Sequence, residues 1–165
     1  FKMGTSIVAA LIASVAAVTL VNADTLPEAF YGSFVLDHHE NFENYLIAKG
    51  LPPAIRAMVL NAKPEKTFTK VSGDAFDYEN KMLGRSVTYK AVELGKEFTG
   101  DGLDFAQHKV TFSLNDGKLI ERQAPIDETQ QPQSVEEYEY TIDGDMLVAK
   151  VSFDGVEAEL FHKRV

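Results

Sequence analysis

The stretch that decides the fold is residues 32–49, GSFVLDHHENFENYLIAK. Its first part belongs to residues 31–37, YGSFVLD, which predict a β-strand. Asn41 then opens a helix, which Gly50 ends. The apolar residues that recur at helical spacing in this helix are Phe42, Tyr45 and Leu46.

A second short helix follows directly. Pro53 stands at a favoured first helical position, residues 54–62 (AIRAMVLNA) continue the helix, and Pro64 ends it. Two short helices separated by a proline break predict a helix-turn-helix.

Everything after Pro64 has the pattern of short strands separated by turns rich in Gly, Asp and Asn. With the opening strand, ten strands are expected. Such a series predicts a mainly β fold, a ten-stranded antiparallel up-and-down β-barrel closed on itself and capped by the helix-turn-helix. The further strands are predicted at residues 66–71, 75–80, 86–92, 97–99, 108–114, 119–123, 135–142, 147–153 and 156–163.

The inward faces of these strands are apolar but carry polar groups. In the strand at 135–142, Tyr138 and Tyr140 share a face, and in the last strand Leu160 and His162 do. Because each polar group in a dry core needs a partner, this mixture favours a cavity that holds a ligand and water.

The N-terminus is typical of a secretory signal peptide. Residues 7–21 form an uncharged apolar run, and Val21, Asn22 and Ala23 resemble a signal-peptidase site. We expect cleavage after Ala23, which leaves residues 24–165 as one domain of a secreted, extracellular protein; the alternative is an uncleaved anchor.

Composition excludes several classes of function. The net charge of −9 argues against nucleic-acid binding and allows at most transient membrane contact. No Cys is present, so disulfides and thiolate sites are excluded. His38 and His39 lack a third metal ligand at a suitable spacing, and no catalytic motif is found, so neither a metal, a cofactor nor an enzymatic activity is expected. Trp is also absent, which excludes the Gly-x-Trp motif of lipocalins, the other secreted barrel considered.

Residues 32–49 resemble the N-terminal signature of the fatty-acid-binding protein family (intracellular lipid-binding proteins). The resemblance covers residues 28–165, is specific, and is greatest to the extracellular branch found in nematodes. Motifs that carry it further include Ser72-Gly73-Asp74, Glu93-Leu94-Gly95-Lys96-Glu97-Phe98 and Asn115-Asp116-Gly117-Lys118-Leu119.

The resemblance implies a barrel that binds a long-chain fatty acid or a retinoid non-covalently. It implies ligand entry near the second helix, where Ala54, Arg56, Ala57 and Met58 become portal candidates. It also implies that Phe42 fastens the first helix or contacts the ligand.

The family's two head-group arginines are missing here. Strand matching places Tyr140 and Leu160 at the arginine positions and His162 at the tyrosine position. We hypothesise that His162 and Tyr140 donate hydrogen bonds to a carboxylate through water, and an anion beside His162 would favour its cationic form. The alternatives are a carboxylate near Arg56 or a neutral ligand. The remaining candidate ligand contacts on inward positions are Glu121, Gln123, Tyr138 and Ala149.

The sequence therefore predicts a monomeric secreted carrier of a fatty acid or related small lipid. The alternative function is a ligand-free extracellular structural or interaction barrel.

Overall fold

A computed structural model describes residues 25–126 and 135–165 of the chain. The predicted cleavage site and residues 1–23 lie outside the described residues. Ten strands and two helices follow a short 3-10 turn (Glu28–Phe30). They are β1 (Gly32–Glu40), α1 (Phe42–Ala48), α2 (Pro53–Asn61), β2 (Glu65–Lys70), β3 (Phe76–Met82), β4 (Arg85–Val92), β5 (Phe98–Asp101), β6 (Gln107–Asn115), β7 (Lys118–Pro125), β8 (Glu136–Asp143), β9 (Met146–Phe153) and β10 (Val156–Arg164).

The strands form one antiparallel sheet in the order β4-β3-β2-β1-β10-β9-β8-β7-β6-β5. Consecutive strands pair with each other except at β4 and β5, and the first strand pairs with the last. Several turns have the expected Asp-Gly chemistry: Asp116 and Gly117 both have positive φ (49° and 76°), the backbone that a two-residue hairpin with right-handed twist requires. The predicted up-and-down barrel with its helical cap is confirmed.

The sheet does not close completely, which corrects the expectation of a fully closed barrel. Within the described residues no hydrogen-bonded ladder joins β4 to β5. The Tyr89 ring lies where a ladder would run, because a Cβ atom on Gly100 would come within 2.6 Å of it, and the Tyr89 hydroxyl donates to the Asp101 carbonyl at 2.8 Å. A side chain, rather than backbone pairing, spans this gap.

The first helix is held to the barrel by Asn41. Its backbone is left-handed (φ 56°, ψ 16°), so it turns the chain out of β1, and its side-chain amide donates to the Glu157 carbonyl at 2.6 Å. Phe42 stacks on Tyr45 with ring centroids 5.7 Å apart. These contacts place α1 and, after Gly50, α2 over one end of the barrel.

The two ends of the barrel differ in packing. At the end away from the helices, aromatic side chains fill the interior, and we call this the packed end. Its central residues, each at most 1% exposed, are Phe34, Phe68, Phe76, Phe112 and Leu119. The end beneath α1 and α2 is hollow, and we call it the open end.

No helix among the described residues has the length and apolar character needed to cross a bilayer.

Candidate functional site

A cavity of about 860 Å³ occupies the open end of the barrel. This volume lies within the range of small-molecule sites, about 300–1,000 Å³. Both helices and the inward faces of most strands contribute to its wall, and carbon dominates the lining. The apolar wall includes Leu36, Phe42, Leu46, Ile55, Val59, Ala149, Val151, Phe153 and Leu160.

A buried carboxylate lies at the floor of the cavity, where the open end meets the packed end. Glu121 is 1% exposed. Its Oε2 atom accepts hydrogen bonds from the hydroxyls of Tyr140 at 2.6 Å and Tyr78 at 3.3 Å, and its Oε1 atom accepts one from the Gln123 amide at 2.7 Å. Burial and then the Glu121 charge raise the pKa of both tyrosines well above 10. Three neutral donors therefore satisfy a charged Glu121.

Lys66 is the buried cation of the same floor. It is 6% exposed, and its Nζ atom donates to the Tyr78 hydroxyl at 3.0 Å. The Nζ atom also lies 5.4 to 5.7 Å from the ring centroids of Tyr78, Tyr138 and Tyr140. Burial lowers the pKa of Lys66, and the nearby Glu121 charge opposes that shift. We call Lys66, Tyr78, Glu121, Gln123 and Tyr140 the floor cluster.

His162 is completely buried beside this cluster and is neutral. Its Nδ1 atom lies 3.3 Å from the Leu147 carbonyl, which only accepts, so Nδ1 carries the proton. Burial, and next the Lys66 charge, lowers the pKa of His162 to about 3. Burial therefore opposes the positive charge that an anion could induce on His162, and a role of His162 in holding a head group stays a prediction. Its position in a low-dielectric wall beside a lysine disfavours a second cation.

The rim of the cavity carries paired charges. Lys49, the residue that follows α1, forms an ion pair with Glu136 of β8, which also accepts a hydrogen bond from the Tyr138 hydroxyl at 2.7 Å. His108 also lines the cavity, and its Nε2 atom lies 2.9 Å from the Asp104 carboxylate. The Lys49–Glu136 pair ties the end of α1 to β8.

Seven of the ten predicted ligand contacts line the cavity: Phe42, Glu121, Gln123, Tyr138, Ala149, Leu160 and His162. Three predicted contacts do not. Tyr140 is fully buried and its hydroxyl is committed to Glu121, Met58 is 54% exposed on α2, and the Arg56 guanidinium donates to the Leu51 carbonyl at 2.7 Å.

The helical period explains which side chains of α2 line the cavity. Ile55 and Val59, one turn apart, face the cavity, which turns Ala54, Ala57 and Met58 toward solvent. Arg56 is instead used to fasten the loop before α2.

Sequence reasoning missed Lys66 and Tyr78. The signal was available, because Lys66 shares a strand face with Phe68, and Tyr78 shares one with Phe76. A lysine in register with a core phenylalanine is unusual enough to have indicated a buried cation.

Within residues 25–126 and 135–165, no group of three or more His, Asp or Glu side chains is arranged to hold a metal ion. The cavity combines an apolar wall with a floor that carries one carboxylate, Glu121, and one amine, Lys66.

The chain is similar in sequence to known fatty acid-binding proteins. The chain is 46% identical over 148 residues to fatty acid-binding protein homolog 2 of Caenorhabditis elegans, covering 89% of this chain and 91% of the relative. It is 39% identical to a fatty acid-binding protein homolog of Ascaris suum, covering 94% and 96%.

Among solved structures, As-p18, an extracellular fatty acid binding protein, superposes with a TM-score of 0.80 at 38% identity, covering 86% of this chain and 99% of As-p18. A Schistosoma mansoni fatty acid binding protein in complex with arachidonic acid shares the fold (TM-score 0.68, 24% identity, 84% and 97% covered). No protein-family model matches the chain. From the curated relatives and the As-p18 match, the chain belongs to the fatty-acid-binding protein family, in its nematode branch.

Proposed function

We propose that this protein is a non-enzymatic carrier that binds one long-chain fatty acid or a related single-chain lipid in the cavity of the open end. The observation that carries the proposal is the 860 Å³ cavity with its largely apolar wall. Relatives are named for fatty-acid binding, and one structural neighbour holds arachidonic acid.

The energetics favour such a ligand. Burying one methylene group contributes about 0.8 kcal/mol, so a 16-carbon tail contributes on the order of 10 kcal/mol before the costs of association. The apolar wall is therefore sufficient to supply affinity, and the floor cluster is left to select the head group.

A matched pair of tryptophan variants tests this function, because the natural chain has no Trp. Ala149 faces the cavity and is 1% exposed, whereas Ser152 of the same strand faces solvent. In delipidated protein, Ala149→Trp should fill the cavity and reduce uptake of a fluorescent long-chain fatty acid at least tenfold, while Ser152→Trp should bind like the natural protein. If the natural protein takes up no fatty acid, or if both variants bind equally well, the carrier function is refuted and the ligand-free structural barrel is favoured.

We further propose that the protein acts outside the cell after residues 1–23 are removed. The apolar run at residues 7–21 and the likeness to the extracellular As-p18 support this. Expression of the full chain in a eukaryotic secretory line should give a protein in the medium whose N-terminus is Asp24. Retention in the cells with an intact N-terminus would contradict it.

A further inference from the structure

We propose that Lys66 is the head-group site for the ligand, so that the cavity selects single-chain lipids with one carboxylate and holds that carboxylate at the floor. This inference rests on the proposed carrier function and deepens it. The site differs from the one expected on β8 and β10, because Lys66 belongs to β2.

The two buried charged side chains of the floor cluster, Glu121 and Lys66, differ in how many hydrogen bonds they make. Glu121 accepts three hydrogen bonds, from Tyr78, Tyr140 and Gln123. Lys66 has three donor hydrogens as an ammonium, yet it makes one hydrogen bond, to the Tyr78 hydroxyl. Within residues 25–126 and 135–165, no carboxylate forms an ion pair with it. A buried cation with unused donors is costly unless a partner arrives.

The position of Lys66 also fits a head-group site. Lys66 lines the cavity, at the boundary between the packed end and the open end. Below it, aromatic side chains fill the barrel, so an acyl chain has room only toward the helices, along Leu36, Val151 and Leu160. A carboxylate on Lys66 therefore orients the ligand with its head inward and its tail under α1 and α2.

Apart from Lys66, the predicted or cavity-lining basic groups His162, Arg56 and Lys49 in the described part of the chain are either neutral or already bonded. His162 is neutral, Arg56 is bonded to the Leu51 carbonyl, and Lys49 is paired with Glu136. Other charged or titratable groups that face Lys66 are Glu121 and the phenols of Tyr78, Tyr138 and Tyr140. Glu121 repels any anionic head group, and this repulsion is about twice as large for a head group with two negative charges as for a single carboxylate. A single carboxylate can offset it by accepting the donors of Lys66 that Tyr78 leaves free.

The test compares two ligands with the same tail, oleic acid and oleyl alcohol, on delipidated full-length protein. Lys66→Met removes the charge at similar length. Lys109→Met is the matched control, because Lys109 is an exposed lysine of β6 that does not line the cavity. We expect Lys66→Met to weaken oleic acid binding roughly 10- to 100-fold, the effect of losing a charged hydrogen bond. Oleyl alcohol binding should change less than threefold, and Lys109→Met should change neither ligand more than threefold.

A second readout separates a direct contact from a structural role. In the complex with oleic acid labelled with ¹³C at the carboxyl, the carboxyl should stay ionised to a lower pH than in Lys66→Met, because a neighbouring cation favours the charged form. If Lys66→Met does not fold, Lys66→Arg should retain oleic acid and the low carboxyl pKa.

Three results would overturn the inference: oleic acid affinity unchanged in Lys66→Met, equal loss of both ligands, or a carboxyl in the natural protein that titrates as in free solution. Failure of the natural protein to bind either ligand would instead refute the carrier function itself.

Discussion

The hydrogen bond from Tyr140 to Glu121 gives the sharpest prediction for stability. Both side chains are at least 99% buried, and the 2.6 Å distance is that of a charge-assisted O–H···O bond. Tyr140→Phe removes the hydroxyl and leaves Glu121 with the long bond from Tyr78, at 3.3 Å, and the Gln123 amide. Since a hydrogen bond to a charged group is worth about 1.5–3 kcal/mol, the free energy of unfolding should fall by about 2 kcal/mol.

The assay is urea unfolding of the natural protein, Tyr140→Phe, Glu121→Gln and the double variant. The cycle should give a coupling energy of at least about 1 kcal/mol between the two positions. Tyr31→Phe is the control, because the Tyr31 hydroxyl makes no hydrogen bond to a described side chain, and it should change stability by less than about 0.5 kcal/mol. A coupling energy near zero, or a loss no larger than that of Tyr31→Phe, would refute the assigned role of the floor cluster.

Three further predictions concern stability. The pKa of His162 is lowered to about 3 in the folded protein, below the ordinary 6.5, so the unfolded chain binds a proton first as the pH falls. Between pH 6 and pH 4, the free energy of unfolding of the natural protein should therefore fall by about 1.4 kcal/mol more per pH unit than that of His162→Gln. Urea titrations that show the same pH dependence for both proteins would contradict this. Asn41 has a left-handed backbone, so Asn41→Ala should be about 1 kcal/mol less stable than Asn41→Gly in thermal unfolding, and equal stability would show that no strain is avoided there. Gly100→Ala should lower the free energy of unfolding by about 1–3 kcal/mol, because the new Cβ atom meets the Tyr89 ring. The same change in a Tyr89→Ala background should lower it clearly less. An equal loss in both backgrounds would exclude the ring contact as the cause.

The fold was predictable from local patterns. The period-two alternation, the Asp-Gly turns and the proline break between the helices each depend on neighbours in sequence, and they located all ten strands and both helices. The last strand shows this well, because Leu160 and His162 were expected on one face and both are buried.

The chemistry of the site was less predictable because it depends on partners far apart in the chain. Glu121 was identified as an inward carboxylate, but its partners Tyr78 and Tyr140 lie 43 and 19 residues away. Their contact follows from the strand order and register, which alternation alone does not specify. The same limit applies to His162, whose charge state is decided by burial and by Lys66 on another strand.

The sequence also did not predict that side chains fill one end of the barrel interior. Inward polar groups were expected to line a cavity of unspecified extent, and the aromatic cluster around Phe68 and Phe112 fills the packed end. Side-chain volumes summed along a single strand do not reveal this, since the filling results from rings that meet across the barrel.

A crystal structure of the delipidated protein reloaded with oleic acid tests the central claim most directly. The account predicts one acyl chain inside the open end, between the inward face of α2 and the apolar wall, with the aromatic packed end unchanged. An acyl chain bound on the outer surface, or a cavity closed by side chains with no ligand density, would contradict it.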